Sequence, residues 1–194
     1  MNILETESGR LLNAVRGLLT AKGILSPAEI AERIAITDAG SPAQGARMVA
    51  RAWINPEYRA LMLRDGTIAA EAMGIVMRGM PPLGVLENSS EVHNLVVCTL
   101  CSCYPRAVLG YPPFWYKSAA YRARAVRDPR GLLKEWGTVL PERVKLRVVD
   151  STADYRWMVL PLRPAGTEGW SEEKLVSIVR EGDMIGVTIP VLPG

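Results

Sequence analysis

Hydrophobic and polar positions follow a helical spacing in the first part of the chain. Leucines and Val15 recur between positions 11 and 19 so that they share one face of a helix, predicted over residues 7–22 and ended by Gly23. Three later segments each begin with a capping side chain followed by a proline at the first helical position: Ser26-Pro27, Ser41-Pro42 and Asn55-Pro56. These helices are predicted to run to about positions 36, 53 and 73.

Short helices separated by such turns form a poor independent core, because isolated short helices are only marginally stable in water. Core packing is the ordinary explanation of an apolar stripe such as that of residues 11–19. The repeated interruptions nevertheless favour an N-terminal helical arm over residues 1–76, which wraps a partner or packs on the main domain.

The pattern changes after a Gly- and Pro-rich break at residues 77–82. Short apolar runs predict strands, and capped segments predict helices that start at Ser118, Asp128 and Ser171. The predicted strands cover residues 85–86, 92–97, 144–149, 155–160 and 184–189, and the predicted helices end near residues 127, 137 and 180. Strands and helices mix without strict alternation, so residues 77–194 are predicted to form an α+β domain built as a layered α/β sandwich.

Composition narrows the possible functions. The chain has 194 residues, 48% of them hydrophobic, and a net charge of +3 with basic and acidic residues interspersed. This charge distribution is typical of a solvated surface and predicts no nucleic-acid partner. No apolar run approaches the ~20 residues that span a membrane, and the N-terminus has no signal-peptide pattern. We therefore expect a cytoplasmic protein with no membrane partner.

All three cysteines lie within six residues, Cys98-Thr99-Leu100-Cys101-Ser102-Cys103, which we call the cysteine loop. In a reducing compartment such a cluster indicates metal or redox chemistry. Structural zinc and iron–sulfur clusters both favour four ligands, usually from separated positions, and His93 is the chain's one histidine. A lone histidine in strand-like sequence is more often a packed or flanking residue than a ligand. A thioredoxin-type pair would leave Cys103 unexplained.

The spacing allows a different metal site. If the sulfurs of Cys101 and Cys103 bind one ion, the backbone nitrogens of Ser102 and Cys103 are carried against it, and the Cys98 sulfur can cap the resulting plane. Such N,S donation suits a metal with directional d-orbital preferences rather than zinc. Five protein ligands would leave one position open, as in a catalytic site.

The cysteine loop resembles the metal-binding loop of nitrile hydratase alpha subunits. The resemblance extends over roughly residues 46–187 and includes Arg163-Pro164-Ala165-Gly166-Thr167-Glu168-Gly169-Trp170. Further matching segments are residues 92–97, 112–118, 121–122, 128–131, 150–153, 158–161, 171–173 and 184–187.

The resemblance implies one low-spin Co(III) per chain, since threonine at position 99 accompanies cobalt in the family and serine accompanies iron. The implied ligands are the sulfurs of Cys98, Cys101 and Cys103 and the amides of Ser102 and Cys103. It also implies catalytic roles for Cys101, as a sulfinic acid, and Cys103, as a sulfenic acid. The reaction would be that of a lyase, the hydration of a nitrile to its amide. The group that attacks the nitrile carbon would be either the Cys103 oxygen or water activated by the metal.

The same resemblance implies partners. A beta-type subunit, as one chain or split in two, would supply arginines that hold the oxidised sulfurs, and a cobalt-insertion activator protein would load the metal. The isolated subunit could lack cobalt and carry unmodified thiols. The nitrile itself is the expected substrate.

Two departures from the family pattern bear on that substrate. Arg106 stands where cobalt members commonly carry tryptophan in the pocket, and Arg78-Gly79-Met80 replaces a Gly-Gln pair. Arg106, Trp115 and Tyr116 are the predicted pocket residues, and Arg106 allows a more polar nitrile. Arg106 also resembles the cobalt-binding subunit of thiocyanate hydrolase. That reaction and a non-catalytic metal-binding role stay as alternatives. Arg163 is a further candidate neighbour of the loop, whereas Asp150, Ser151 and Trp170 are expected to be structural or interface residues.

Overall fold

The computed structural model describes residues 6–193, which form two compact units, one up to Asp38 and one from Ala39. The first unit consists of helices α1 (Glu7–Ala21) and α2 (Pro27–Asp38). The helix predicted over residues 7–22 is confirmed: the Thr6 side chain accepts a hydrogen bond from the Gly9 amide (3.1 Å), and Gly23 follows with a φ of 67°.

Among residues 6–193, no leucine of α1 is buried. Leu11, Leu12, Val15 and Leu18 are exposed, Leu11 by 65%, and Leu19 is half-buried. A continuous apolar face of this kind is typical of a surface that another element or chain covers. What covers it stays a prediction.

The second unit combines eight described helices with four strands. The helices are α3 (Pro42–Ile54), α4 (Pro56–Arg64), α5 (Gly66–Ala72), α6 (Arg106–Leu109), α7 (Phe114–Lys117), α8 (Ala119–Arg127), α9 (Pro129–Glu135) and α10 (Glu172–Val176), and a 3₁₀-helix covers Glu181–Met184. The strands are β1 (Leu83–Glu87), β2 (Val92–Val97), β3 (Lys145–Asp150) and β4 (Arg156–Leu160). β1 pairs in parallel with β4, and β2 with β3. The predicted α+β class is confirmed.

One core joins helices and strands. Met48 of α3 and Met62 of α4 are fully buried in the same cluster as Leu95 of β2 and Met158 of β4. Helices α3–α5 therefore pack into the unit that contains the strands. The predicted division of the chain into an arm of residues 1–76 and a domain of residues 77–194 stays a prediction. None of the helices described between residues 6 and 193 is long and apolar enough to cross a membrane.

Three predicted elements were wrong in extent or type. The single helix predicted up to residue 73 is divided at Asp65, whose side chain caps α5 by accepting from the Ile68 amide (3.0 Å). The helix after Ser171 ends at Val176 rather than near residue 180. Residues 184–189 form no strand in the described chain; this apolar segment is buried because it packs as a loop against β2, with the Val96 amide donating to the Ile185 carbonyl (2.9 Å).

His93 is a buried structural residue. Its Nε2 lies 2.8 Å from the Gly186 carbonyl oxygen, so it carries the proton, and Nδ1 accepts from the Asn88 side-chain amide (3.2 Å). Burial is the main reason that the pKa of His93 lies below its usual 6.5, and the charge of Arg130 lowers this pKa further. The hydrogen bond to Gly186 acts in the opposite direction and is outweighed. His93 was predicted to point to a flank of the strand; in the structure it lies between β2 and the loop that contains Gly186.

This histidine predicts an acid-sensitive contribution to stability. Because the folded-state pKa lies below 6.5, the unfolded chain binds the proton first, and stability falls as pH drops from 6.5 toward the lowered value. We expect His93→Gln, which keeps a donor for Gly186, to flatten that part of the pH dependence, by at most about 1.4 kcal/mol per pH unit. Urea unfolding of both proteins at pH 7.5 and at pH 5.5 measures this. Equal pH dependence in the two proteins would contradict the assignment.

Candidate metal centre

The cysteine loop leaves the sheet at the carboxyl ends of two parallel strands. Val97, the last residue of β2, pairs with Asp150, the last residue of β3, and Cys98 follows Val97 directly. The carboxyl ends of parallel strands are the usual place for ligand sites in open α/β sheets. This register sets the start of the loop beside the carboxylate of Asp150.

The loop brings its three sulfurs together. The Sγ atom of Cys101 lies 3.5 Å from that of Cys98 and 3.2 Å from that of Cys103, and all three lie within 4.8 Å of one another. Cys98 and Cys103 are buried, 1% and 8% exposed, whereas Cys101 is exposed. The three thiol groups predicted to bind a metal therefore converge at the protein surface.

These separations test the fit of a metal ion. With a metal–sulfur bond of about 2.3 Å, ligands at right angles lie about 3.3 Å apart and tetrahedral ligands about 3.8 Å apart. The 3.2 Å between Cys101 and Cys103 matches the right-angled separation, and the 3.5 Å between Cys98 and Cys101 lies between the two values. The three sulfurs are thus close enough together to share one ion.

The thiols differ in acidity. Hydrogen bonds from the thiols of Cys103 and Cys98 lower the pKa of Cys101, and the backbone amides of Ser102 and Cys103 act in the same direction. Burial raises the pKa of Cys103 to about 12, and its contacts with Cys101 and Cys98 add to that increase. Only thiolates bind metals, so a cation at this point would have to displace the Cys103 proton.

Two side chains from other elements hold the first part of the loop. Asp150 accepts hydrogen bonds from both the amide (3.0 Å) and the hydroxyl (2.5 Å) of Thr99. Arg122 of α8 donates from Nη1 to the Leu100 carbonyl (2.8 Å). Contacts of this kind orient ligand residues before a metal binds. Asp150 is predicted from the sequence to be a structural or interface residue, and no pattern in the sequence indicates its contact with Thr99.

The end of the loop rests on buried aromatic side chains. Tyr116 is fully buried, and its hydroxyl donates to the Cys103 carbonyl (2.8 Å), while Tyr121 donates to the Val96 carbonyl (2.6 Å). Burial raises the pKa of both tyrosines well above their usual value, so both hydroxyls keep their protons. Trp115 packs edge-on against Tyr116, with ring centres 5.8 Å apart.

The predicted pocket residues occupy different places. Arg106 is exposed at the start of α6, with its guanidinium 4.9 Å from the ring centre of Tyr111. Trp115 is partly buried, and Tyr116 lies beneath Cys103. Arg106, Trp115 and Tyr116 are all near the loop in sequence, but among these three only Tyr116 forms a described hydrogen bond to it. Their pocket roles stay predictions. Arg163 donates instead to Thr167 and to the Trp53 carbonyl, which gives it a structural role away from the loop.

Comparison with known proteins agrees with this geometry. The family model described as nitrile hydratase, alpha chain, matches residues 6–188. The chain belongs to the nitrile hydratase alpha-chain family. A low-molecular-weight cobalt-containing nitrile hydratase alpha subunit from Rhodococcus rhodochrous is 47% identical over 94% of this chain and 88% of its own length.

A second kind of relative is nearly as similar to this chain. The gamma subunit of thiocyanate hydrolase from Thiobacillus thioparus is 43% identical over 91% of this chain and 77% of its own length. A solved recombinant thiocyanate hydrolase with partially modified cobalt centres has a TM-score of 0.89 and 41% identity, covering 96% of this chain and 91% of that chain. Family membership therefore supports an enzyme of the nitrile hydratase or thiocyanate hydrolase kind, with a cluster of three cysteines at its candidate centre.

Proposed function

We propose that this chain is the metal-carrying subunit of a nitrile hydratase, which adds water to a nitrile to give the corresponding amide. The convergence of three sulfurs within 4.8 Å carries the proposal, together with cobalt-containing relatives that share 43–47% of their sequence with this chain. Cys98, Cys101, Ser102 and Cys103 would hold one Co(III). That ion would supply Lewis acidity toward the nitrile.

The protein's own groups then have separate tasks. Cys101 as a sulfinic acid would place oxygen atoms at the exposed side of the loop, and Cys103 as a sulfenic acid would add one at the buried sulfur beside it. The Cys103 oxygen would either attack the nitrile carbon or take a proton from the attacking water. Asp150 and Arg122 keep the loop in the conformation that presents these atoms, through Thr99 and the Leu100 carbonyl.

We further propose a beta-type partner, as one chain or two, that covers the cysteine loop. Leu100, inside the cysteine loop, is 88% exposed, and Phe114, which follows the loop in sequence, is 89% exposed; exposed apolar side chains of this size suit a surface that another chain buries. A cobalt-insertion activator protein would load the metal, and the complex would work in the cytoplasm. Without its partner and the activator, the subunit would be isolated in a form that lacks cobalt.

Hydrolysis of a small anion such as thiocyanate is the second candidate function. The closeness of thiocyanate hydrolase favours it, and so does Arg106, a cation three residues after the last cysteine. Opposite charge next to the site would attract an anionic substrate. The same arginine fits a nitrile with a polar substituent, so the substrate has to be assigned by assay.

Co-expression with the candidate beta-type partner and a cobalt supply tests both functions. We expect about one cobalt per chain by metal analysis, and amide formation from members of a panel of apolar and polar nitriles. Thiocyanate, assayed in parallel by carbonyl sulfide release, is expected to react far more slowly. Carbonyl sulfide without any amide would favour the second function. A four-coordinate zinc in the loaded complex, with neither activity, would contradict both.

A further inference from the structure

One peptide unit of the cysteine loop connects Arg122 with the sulfur of Cys98. The carbonyl oxygen of this unit, which belongs to Leu100, accepts a hydrogen bond from Arg122 Nη1 at 2.8 Å. Its N–H, which belongs to Cys101, donates to the Cys98 Sγ atom at 3.2 Å. The two ends of a peptide unit are conjugated through the partial double bond between carbon and nitrogen. A change at the carbonyl oxygen therefore reaches the hydrogen bond on the sulfur.

The donor at the carbonyl end is a guanidinium whose charge is not shared with a carboxylate. None of the ion pairs described between residues 6 and 193 includes Arg122, and its Nε atom is buried without a hydrogen-bond partner in that part of the chain. Arg124, two positions later in α8, is instead paired with Glu135 (2.5 Å) and Asp128 (3.3 Å). The charge of Arg122 therefore acts on the backbone of the loop.

A charged donor at the Leu100 carbonyl strengthens the hydrogen bond at the other end of the peptide unit. It draws electron density toward the oxygen and leaves the N–H more positive, and hydrogen bonds linked in this way strengthen one another by about 10–30% per bond. A bond with an ionised donor is itself roughly twice as strong as a neutral one. The Cys98 sulfur thus accepts a stronger hydrogen bond than an isolated amide would donate.

Asp150, the other side chain that holds the first part of the loop, has no such connection to a sulfur. It accepts from the amide of Thr99 (3.0 Å), and none of the hydrogen bonds described for the Cys98–Thr99 peptide unit reaches a sulfur atom. Both side chains position the loop, but only the contact of Arg122 continues to a predicted metal ligand.

We infer that Arg122 lowers the electron density which the Cys98 sulfur donates, by strengthening the hydrogen bond from the Cys101 amide. Arg122 is a positioning residue in this role, since it acts through the peptide unit. The inference rests on the proposed function, in which Cys98 holds cobalt. Hydrogen bonds to ligand sulfurs tune the electronic properties of metal centres, and a sulfur that donates less leaves the ion a stronger Lewis acid.

Nuclear magnetic resonance of the full chain, in chelator and reductant, tests this connection without cobalt or turnover. Arg122→Gln keeps a neutral donor for the Leu100 carbonyl but removes the charge. We expect it to shift the Cys101 amide proton upfield, because a weaker hydrogen bond deshields that proton less. Arg122→Lys keeps the charge without the planar group and should restore most of the wild-type shift. The dispersion of the other amide signals reports whether each variant is folded.

Two control variants separate this effect from general damage. Arg124→Gln removes exposed ion pairs from the same helix and should leave the Cys101 amide unchanged. Asp150→Asn loosens the loop at its other support, so it should move the Thr99 amide and not that of Cys101.

The co-expressed cobalt complex tests the consequence for the metal. We expect the sulfur-to-cobalt absorption bands of Arg122→Gln to lie at longer wavelength than those of the wild type, because a sulfur with a weaker hydrogen bond gives up an electron more easily. Those of Arg122→Lys should lie in between. Turnover per bound cobalt is expected to fall about tenfold in Arg122→Gln.

Several results would overturn the inference. An unchanged Cys101 amide in Arg122→Gln would do so, and so would equal shifts of that amide in Arg122→Gln and Asp150→Asn, since a loosened loop produces both. A shifted amide with unchanged absorption bands in the cobalt complex would show that the hydrogen bond does not alter Cys98 as a ligand. A wild-type complex without cobalt would contradict the proposed function instead, and the amide shift, measured without metal, would still decide whether Arg122 acts on the Cys98 sulfur.

Discussion

Replacing Cys98 by alanine is expected to remove cobalt from the assembled enzyme and to reduce turnover by roughly 1,000-fold or more. The estimate follows from losing several kcal/mol of Lewis-acid stabilisation, about 4 kcal/mol for three powers of ten. Cys98 is the most deeply buried member of the cluster, and its sulfur accepts from the Cys101 amide (3.2 Å), so its loss also loosens the turn. Metal analysis and an amide assay on the co-expressed complex measure both effects.

Leu100→Ala is the matched control for this substitution. Leu100 belongs to the same loop, is 88% exposed and offers no side-chain ligand. In complex that has assembled, Leu100→Ala should leave the cobalt content per chain near that of the wild type, because the contact it weakens is with the proposed partner and not with the metal. Full cobalt occupancy together with normal turnover in Cys98→Ala would contradict the three-sulfur centre, and loss of cobalt in both variants would point to general damage to the loop.

The cysteine cluster was predictable because its members are close in sequence. Cys98 and Cys103 are the first and last residues of a six-residue segment, and a tight turn of that length brings the sulfurs together. The resemblance to a family then added the metal and the reaction. The similarity to known alpha chains confirms the family, whereas the individual ligand roles stay predictions.

The contacts that hold the cluster were not predictable from the pattern alone. Asp150 lies 51 positions after Thr99 and reaches it because β2 and β3 pair in parallel with Val97 opposite the last residue of β3. Both strands were predicted within a residue or two, but periodicity gives no pairing and no register. A partial signal existed: each strand ends immediately before a polar or sulfur-bearing turn, which is typical of residues that meet at one edge of a sheet.

The wrongly predicted strand at residues 184–189 has a related cause. Three of its apolar residues, Met184, Ile185 and Val187, are at most 2% exposed, whereas Ile189 is 42% exposed. Most of the segment is therefore buried, but after the 3₁₀-helix that ends at Met184 its backbone is a loop. Gly186 has a φ of 86°, and a Cβ there would lie 1.9 Å from the Asn94 carbonyl oxygen, so the loop approaches β2 too closely for a regular strand with side chains on both faces.

Replacing Asp150 by asparagine is expected to lower cobalt affinity or turnover about 10- to 100-fold, the usual effect of losing a group that orients metal ligands. The amide keeps one acceptor oxygen for the Thr99 N–H, but its NH₂ can only donate to the Thr99 hydroxyl, so two bonds to a charged carboxylate become two weaker neutral ones. Metal content, the visible spectrum of the cobalt centre and the amide assay report the effect. Asp154→Asn, an exposed carboxylate in the following turn, is the control and should have no effect.

A double-mutant cycle with Thr99→Ala separates this positioning role from a general structural one. If Asp150 acts on the metal site through Thr99, the double variant should lose little more than the more damaging single variant, because both changes break the same contact. Independent, additive losses would show that Asp150 acts elsewhere. Unchanged cobalt affinity and an unchanged spectrum in Asp150→Asn would show that the loop keeps its conformation without this carboxylate, and the sulfur cluster would then be held by Arg122 and Tyr116 alone among the contacts described.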